Sequence, residues 1–330
     1  MSFNAKLNRA IVITSINYPT TAIKKLSQID CWNRIVVADL KTPLDWKCKD
    51  ADFLSIERQN SLQFKIAKLI PYNHYSRKNI GYLYAISKGA NLLYETDDDN
   101  VPYDFWSTFC DIEIQAKICS KPGTFLNIYS YFTNENIWPR GLPFKFINNR
   151  VDMEINVTNV IAPVQQGLAD FNPDIDAVCR FVYKKNIFFL PNSPLFIPPK
   201  TFCPFNSQNT LWYKEAFQYL FLPVSLSSRV TDIWRGYIAQ HFLHRNNQGV
   251  LFCRPSVIHI RNKHNLIQDF NEELKMYLYT IKFVNVLKMY TGSFVDVMDY
   301  LYEHSFVKKI DVTLFQAWIS DLQDLGLYIN

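Results

Sequence analysis

The chain has 330 residues, a formal net charge of +5 and, at 48% hydrophobic and 20% charged residues, the composition of a folded globule rather than a disordered chain. No window approaches the ~20 apolar residues of a membrane span, and the N-terminal MSFNAKLNRAIVITSINY lacks a signal-peptide pattern, so a soluble cytoplasmic protein is expected. Lys and Arg are scattered, with no basic stripe or aromatic-basic interleaving, which argues against a nucleic-acid partner. The first part of the chain alternates strands and helices. Residues 10–16 (AIVITSI) are a β-branched run and predict a strand, and TTAIKKLSQI after it has helical spacing. Residues 34–38 predict a second buried strand, ending at Asp39, and residues 53–56 a third. A helix is expected over 62–69, before Pro71, and another over 77–89, where apolar residues recur at helical intervals and Gly89 offers a C-cap. Residues 91–95 are the next strand. This βαβα order predicts an α/β protein whose parallel sheet binds ligands at the carboxyl ends of its strands. From Val101 to about Pro204 the chain is rich in Pro, Asn and aromatics, and short strands are expected only at 124–128 and 177–183. From Leu266 on, long amphipathic segments predict a helical appendage, which divides the chain into 1–265 and 266–330.

The seven cysteines form no C-x-x-C pair and signal neither a zinc cluster nor a disulfide framework, so reduced, buried thiols are expected. The chemistry starts at YETDDDN, residues 94–100. Three adjacent carboxylates repel one another and an apolar neighbourhood raises their pKa values, so the triplet calls for a cation. Alternate side chains of a strand share a face, which aims Asp97 and Asp99 together and Asp98 toward a neighbouring loop or arginine. Asp97 and Asp99 form a half-site for Mn²⁺ or Mg²⁺, hard cations that complete their shells with substrate phosphates. Such a metal neutralises a diphosphate leaving group. This is the D-x-D arrangement of nucleotide-sugar-dependent glycosyltransferases, and a solvated acidic turn is the competing reading.

Further stretches extend the pattern: DLKTPLDW (39–46), PYNHYSRKNIGYLYAISKGANLLYETDDDN (71–100), IWPRGLP (137–143), QQGLADFNPDIDAVCR (165–180), FCPFNSQNTLWYKEAF (202–217), LPVSLSSRVTDIWRGYIAQ (222–240) and RNKH (261–264). With these, the sequence resembles the STELLO-type glycosyltransferase-like proteins of plants and their relatives, which are distantly similar to the reversibly glycosylated polypeptides (UDP-arabinopyranose mutases). The matching stretches run in order through nearly all of residues 10–269, and no motif covers the tail beyond. The resemblance implies a GT-A-type fold, a Rossmann-like and mostly parallel sheet flanked by helices, with a UDP-linked sugar donor and a divalent metal. The plant members carry a membrane anchor, sit in the Golgi and are linked to cellulose synthesis. That location and role are not expected to carry over.

Thr14 and Asp39 follow the first two strands, where a GT-A fold binds the nucleoside. Asp39 is expected to accept from the ribose or uracil and Lys41 to face a phosphate, although polar residues also suit turns after buried strands. Arg77, Lys78 and Asn79 open the helix before the acidic strand, where orphan N–H groups and the Arg77 fork suit a diphosphate; Lys78 suits a solvated helix start equally. Asp98 is counted with the donor site. In RVTDIWRG, Asp232 is the expected catalytic base, held ionised by a neighbouring arginine. Arg229 shares its side of the helix, and Arg235 is assigned to catalysis with it; a helix-surface ion pair is the alternative. The resemblance implies His264 as third metal ligand, with His259 the alternative. Trp138 and Arg140, with Trp234, are candidates for the sugar or acceptor wall, though Trp234 suits a core. Gln165, Gln166, Asp170, Asn206, Gln208 and Asn209 suit a polyhydroxylated ligand without individual roles.

The leading expectation is a metal-dependent glycosyltransferase that moves a sugar from a UDP-sugar to a hydroxyl of a glycan, protein or small molecule, inverting because one base candidate stands out. The alternatives are a nucleotide-sugar mutase or self-glycosylating protein, modified at Arg140 or Arg235, and a non-catalytic glycosyltransferase-like scaffold that binds a protein through the helical tail. A homo-oligomer is left open.

Overall fold

The computed structural model describes residues 8–106, 111–119, 125–151, 153–262, 265–327 and 329. The two β-branched runs form β1 (Arg9–Thr14) and β2 (Trp32–Val37), joined by α1 (Thr21–Ser27), which starts where the Thr20 side chain accepts from the Ile23 N–H. After β3 (Asp52–Leu54) the Ser55 side chain caps α2 (Ile56–Ser61). That cap starts the helix earlier than expected. Of the helix expected over 62–69 there is only a 3-10 turn at Ile66–Lys68. Next come α3 (Lys78–Ser87), closed at Gly89 with φ +80, and β4 (Leu92–Asp97).

β3, β2, β1 and β4 are adjacent and parallel, with Thr14 in register with both Val37 and Asp97. The carboxyl ends of three strands therefore finish side by side. α3 lies tight on this sheet because Gly81 has no side chain: a Cβ there would stand 2.6 Å from both Val12 and Val37. That close approach brings the first turn of α3 to the strand ends.

The chain continues through β5 (Asn100–Pro102), β6 (Glu113–Cys119), α4 (Tyr129–Phe132), β7 (Met153–Ile161) and β8 (Val164–Asp170), then α5 (Ala177–Val182) and β9 (Leu195–Ile197). β10 (Asn209–Tyr213), α6 (Ser228–Arg245) and β11 (Val250–His259) complete the sheet, whose order is β3-β2-β1-β4-β10-β8-β11-β9-β6-β7, with β5 on β11. The α/β class and the parallel Rossmann-like half are as the sequence predicts; from β10 onward antiparallel pairs interleave with parallel ones. Two expected strands are corrected. Phe125 makes only an isolated bridge to Phe202, and Thr124 lies outside the described residues. Residues 177–182 are helical because the Asp176 carboxylate accepts from the Cys179 N–H at 2.7 Å and caps α5.

The last helices are α7 (Leu266–Met289), α8 (Val297–Glu303) and α9 (Lys309–Asp324). Their buried side chains belong to the same hydrophobic cluster as α3 and α6. Phe283 stacks on Trp234 with ring centroids 4.3 Å apart, and the Asp321 carboxylate accepts from the backbone N–H groups of Lys65 and Ile66 at 2.8 and 2.9 Å. Phe283 and Trp318 are fully buried, at about 1.5–3 kcal/mol for a side chain of Phe size. Among the described residues, Cys31, Cys48, Cys179, Cys203 and Cys253 are in no disulfide. Among the described residues, no helix is long and apolar enough to cross a membrane.

Candidate active site

A cleft of about 410 Å³ opens where β1, β2 and β4 end. The acidic triplet lines one side. β4 stops at Asp97, so strand alternation does not govern all three side chains, and Asp97, Asp98 and Asp99 all border the cleft. Asp97 Oδ1 accepts from Lys78 Nζ at 2.8 Å and from the Tyr75 hydroxyl at 2.9 Å. Asp98 Oδ2 accepts from Ser15 Oγ at 2.5 Å and Asn17 Nδ2 at 3.0 Å, while Thr20 Oγ1 donates to its carbonyl. Asp98 thus holds the β1–α1 loop. Asp99 Oδ2 lies 3.2 Å from His259 Nε2 and accepts from Asn262 Nδ2 at 3.4 Å. His264 lies outside the described residues. Burial pushes the Asp97 carboxyl up, Lys78 pulls it back and Asp99 pushes it up further. Burial likewise raises Asp98, against the donors Ser15 and Asn17.

Facing the triplet is a buried bridge. Arg140 donates through Nε and Nη2 to the two Asp174 oxygens, both at 2.8 Å, and through Nη1 and Nη2 to the two Asp232 oxygens at 3.0 and 2.9 Å. Burial works against the Arg140 charge, but Asp174 and Asp232 hold it firmly protonated. Burial alone would raise Asp174, yet Arg140 and Arg229 pull it well below the usual carboxylate range. Asp232 therefore faces the cleft, with Arg140 rather than Arg229 as its cation. Arg229 turns to Glu273 of α7, at 2.6 Å, because that fully buried carboxylate needs a charged partner; it lies 3.8 Å from Asp174. Arg229 and Arg261 also line the cleft, and Arg261 donates to Asp269.

Several expected residues do other work. Arg235 leaves the cleft: it is buried against Glu95 at 2.7 Å, over the Trp212 ring at 4.7 Å, and seals a carboxylate inside the sheet. Asn79 spends both amide atoms on the Leu222 backbone, at 3.0 and 2.9 Å, and does not line the cleft. Trp138 donates from Nε1 to Asp176 and also stays outside; burial pushes Asp176 up to about 7 despite the Cys179 N–H and Trp138. Trp234 is core. Thr14, Asp39, Lys41 and Arg77 do line the cleft. Asp39 is occupied by the N–H groups of Leu40, Asn73 and His74 at 2.8, 2.7 and 3.0 Å, so it shapes the loop there. Arg77 is spent on Gln59 Oε1 and the Ile70 carbonyl under the Tyr72 ring, and Lys41 is exposed at the rim. Of the polar family positions, Gln208 reaches the cleft and Asn206 donates to Asp174 at 2.7 Å. Gln165, Gln166, Asp170 and Asn209 bond to the surrounding chain, for example Gln165 to the Asp111 carbonyl and Asp170 from Tyr103. Sequence reasoning missed Tyr75 and Asp174, and it left Lys78 open between the diphosphate and a solvated helix start. The buried bridge was invisible because Arg140 and Asp174 meet only through the fold.

A family model described as STELLO glycosyltransferases matches residues 229–330. Probable glycosyltransferase STELLO1 of Arabidopsis thaliana is 31% identical over 352 residues, covering 98% of this chain and 45% of that protein. Probable glycosyltransferase STELLO2 of the same plant is 30% identical over 345 residues, with 96% and 45% covered. The chain belongs to the STELLO glycosyltransferase family. It spans about half the length of the curated STELLO relatives it matches. The crystal structure of glucosyl-3-phosphoglycerate synthase from Mycobacterium tuberculosis, in complex with phosphoglyceric acid, resembles it with a TM-score of 0.40 at 10% identity, over 88% of this chain and 83% of that one. The STELLO match takes in Asp232, Arg261 and all of α7–α9. The tail without a legible motif is thus family sequence.

Proposed function

We propose that this STELLO-family chain is a divalent-metal-dependent transferase that moves a sugar from a UDP-sugar to an acceptor hydroxyl with inversion. The supporting observation is that one cleft gathers the acidic triplet, the Arg229 and Arg261 guanidiniums and Asp232. The donor set suits a hard cation, since Asp97 and Asp99 both line the cleft with carboxylate groups. Among the described residues, no three His, Cys, Asp or Glu side chains are grouped to hold a metal by themselves. Asp97 and Asp99 would hold Mn²⁺ or Mg²⁺ at this place. When bound, it neutralises charge on the departing diphosphate.

In this reading Arg229 and Arg261 orient the diphosphate through charge-assisted hydrogen bonds. The acceptor oxygen attacks the anomeric carbon and its proton passes to an Asp232 oxygen. The bond from the sugar to the diphosphate breaks, and its electron pair leaves with the nucleoside diphosphate. Arg140 donates to both Asp232 oxygens and fixes the carboxylate plane. The self-glycosylation alternative is disfavoured, because the guanidiniums of Arg140 and Arg235 are committed to buried carboxylates.

A panel of UDP-sugars with and without Mn²⁺, read by UDP release, tests the proposal. One donor is expected to give metal-dependent release at least about tenfold above the metal-free rate, in line with several kcal/mol of charge stabilisation. Release that no donor and no divalent metal stimulates rejects it.

A further inference from the structure

Lys78 is the first residue of α3 and is completely buried. A buried ammonium stays charged only with partners in good geometry. Its Nζ donates to Asp97 Oδ1 and to the Tyr75 hydroxyl, both at 2.8 Å, and to the Ser207 carbonyl at 3.4 Å. Tyr75 donates to the same Asp97 oxygen and lies 2.5 Å from Ser207 Oγ, which donates to Asp232 Oδ2 at 3.4 Å. One oxygen of Asp97 therefore carries two donors, one of them a full charge. Asp98 is held by the neutral donors of Ser15 and Asn17. The fixed ammonium of the triplet sits on Asp97, and the helix that carries it lies close on the sheet, where Gly81 packs directly on Val12 and Val37.

We propose that Lys78 is the resident counter-ion of the acidic triplet and makes metal binding at Asp97 and Asp99 conditional on the nucleotide. A cation arriving alone meets a carboxylate already neutralised by an ammonium. A cation arriving with a diphosphate brings negative charge of its own, and the ammonium then attracts the complex instead of opposing it. Lys78 is a positioning residue, and the Tyr75–Ser207 contact ties its setting to Asp232. The inference rests on the metal reading above.

The test is Mn²⁺ affinity, by electron paramagnetic resonance or calorimetry, with and without UDP, for the wild type and for Lys78→Gln. In the wild type UDP is expected to tighten Mn²⁺ binding by about tenfold or more, within the usual range of coupling between sites. Lys78→Gln is expected to bind Mn²⁺ alone about tenfold more tightly than the wild type and to respond less to UDP. A lysine that only supports the fold gives the opposite sign, because its loss loosens the site. Should Lys78→Gln fail to fold, Lys78→Met keeps the stem without the charge, and the wild-type comparison stands by itself. Equal Mn²⁺ affinity with and without UDP, or weaker binding in a folded Lys78 variant, overturns the role of Lys78 while leaving the metal site intact. Absence of Mn²⁺ binding in every arm removes the metal reading, and this inference with it.

Discussion

Asp232→Asn is expected to lower kcat by about 10²–10⁴-fold, the contribution of a positioned general base, while leaving the donor KM within about threefold. Asn keeps the shape of the side chain and one oxygen for Arg140, which Asp174 still pairs, but the new amide cannot take the acceptor proton. Asp174→Asn is the control. Asp174 shares the same guanidinium and is equally buried, yet its proton affinity is held too low for a base by Arg140 and Arg229. It is expected to reduce kcat much less. Initial rates of UDP release decide the matter: a kcat for Asp232→Asn within about tenfold of the wild type takes the base away from Asp232.

Arg140→Met is expected to destabilise the protein by about 3–5 kcal/mol, the usual result of removing one partner from a buried ion pair. The reason is specific. Arg140 makes four short contacts to two carboxylates that are each less than a tenth exposed, and without it Asp174 and Asp232 face one another with no guanidinium between them. The pH dependence gives the sign. Asp174 titrates below its ordinary value of 3.8 in the folded protein, so its pairing stabilises the fold above that value and the benefit fades as pH falls below it. The wild-type advantage over Arg140→Met is therefore greatest near neutrality and shrinks in acid. Urea unfolding at several pH values measures it, and a loss below about 1 kcal/mol at neutral pH shows that the bridge carries little.

Much of the first half was legible because its signals are local. The β-branched runs of β1 and β2, the glycine after α3 and the aspartates at the end of β4 all speak through neighbouring residues. The expectation for Asp97 and Asp99 arose this way, and that for Asp232 from its polar setting in α6; all three border the cleft. The failures at the cleft have one cause. Arg235 looked catalytic because it follows Asp232, but its partner is Glu95, 140 residues away on β4, and only the packed sheet brings the two together. Lys78 was left open between a diphosphate site and a solvated helix start; here α3 lies close on β1 and β2 at Gly81, and the lysine is buried. The short helix α5 was mistaken for a strand because six residues are too few to separate the two periods, although its Asp176 cap was present in the sequence. The helices after Leu266 are amphipathic as expected, and their apolar faces join the main core through Trp234 and Phe283.

The most direct test of the acidic cleft is calorimetric binding of UDP in Mn²⁺ and in EDTA, to the wild type and to the Asp97→Asn, Asp99→Asn double variant. The wild type is expected to bind UDP in Mn²⁺ and to lose about tenfold to a hundredfold in EDTA, with the folded double variant unresponsive to metal. UDP affinity that is the same in Mn²⁺, in EDTA and in the double variant contradicts the account.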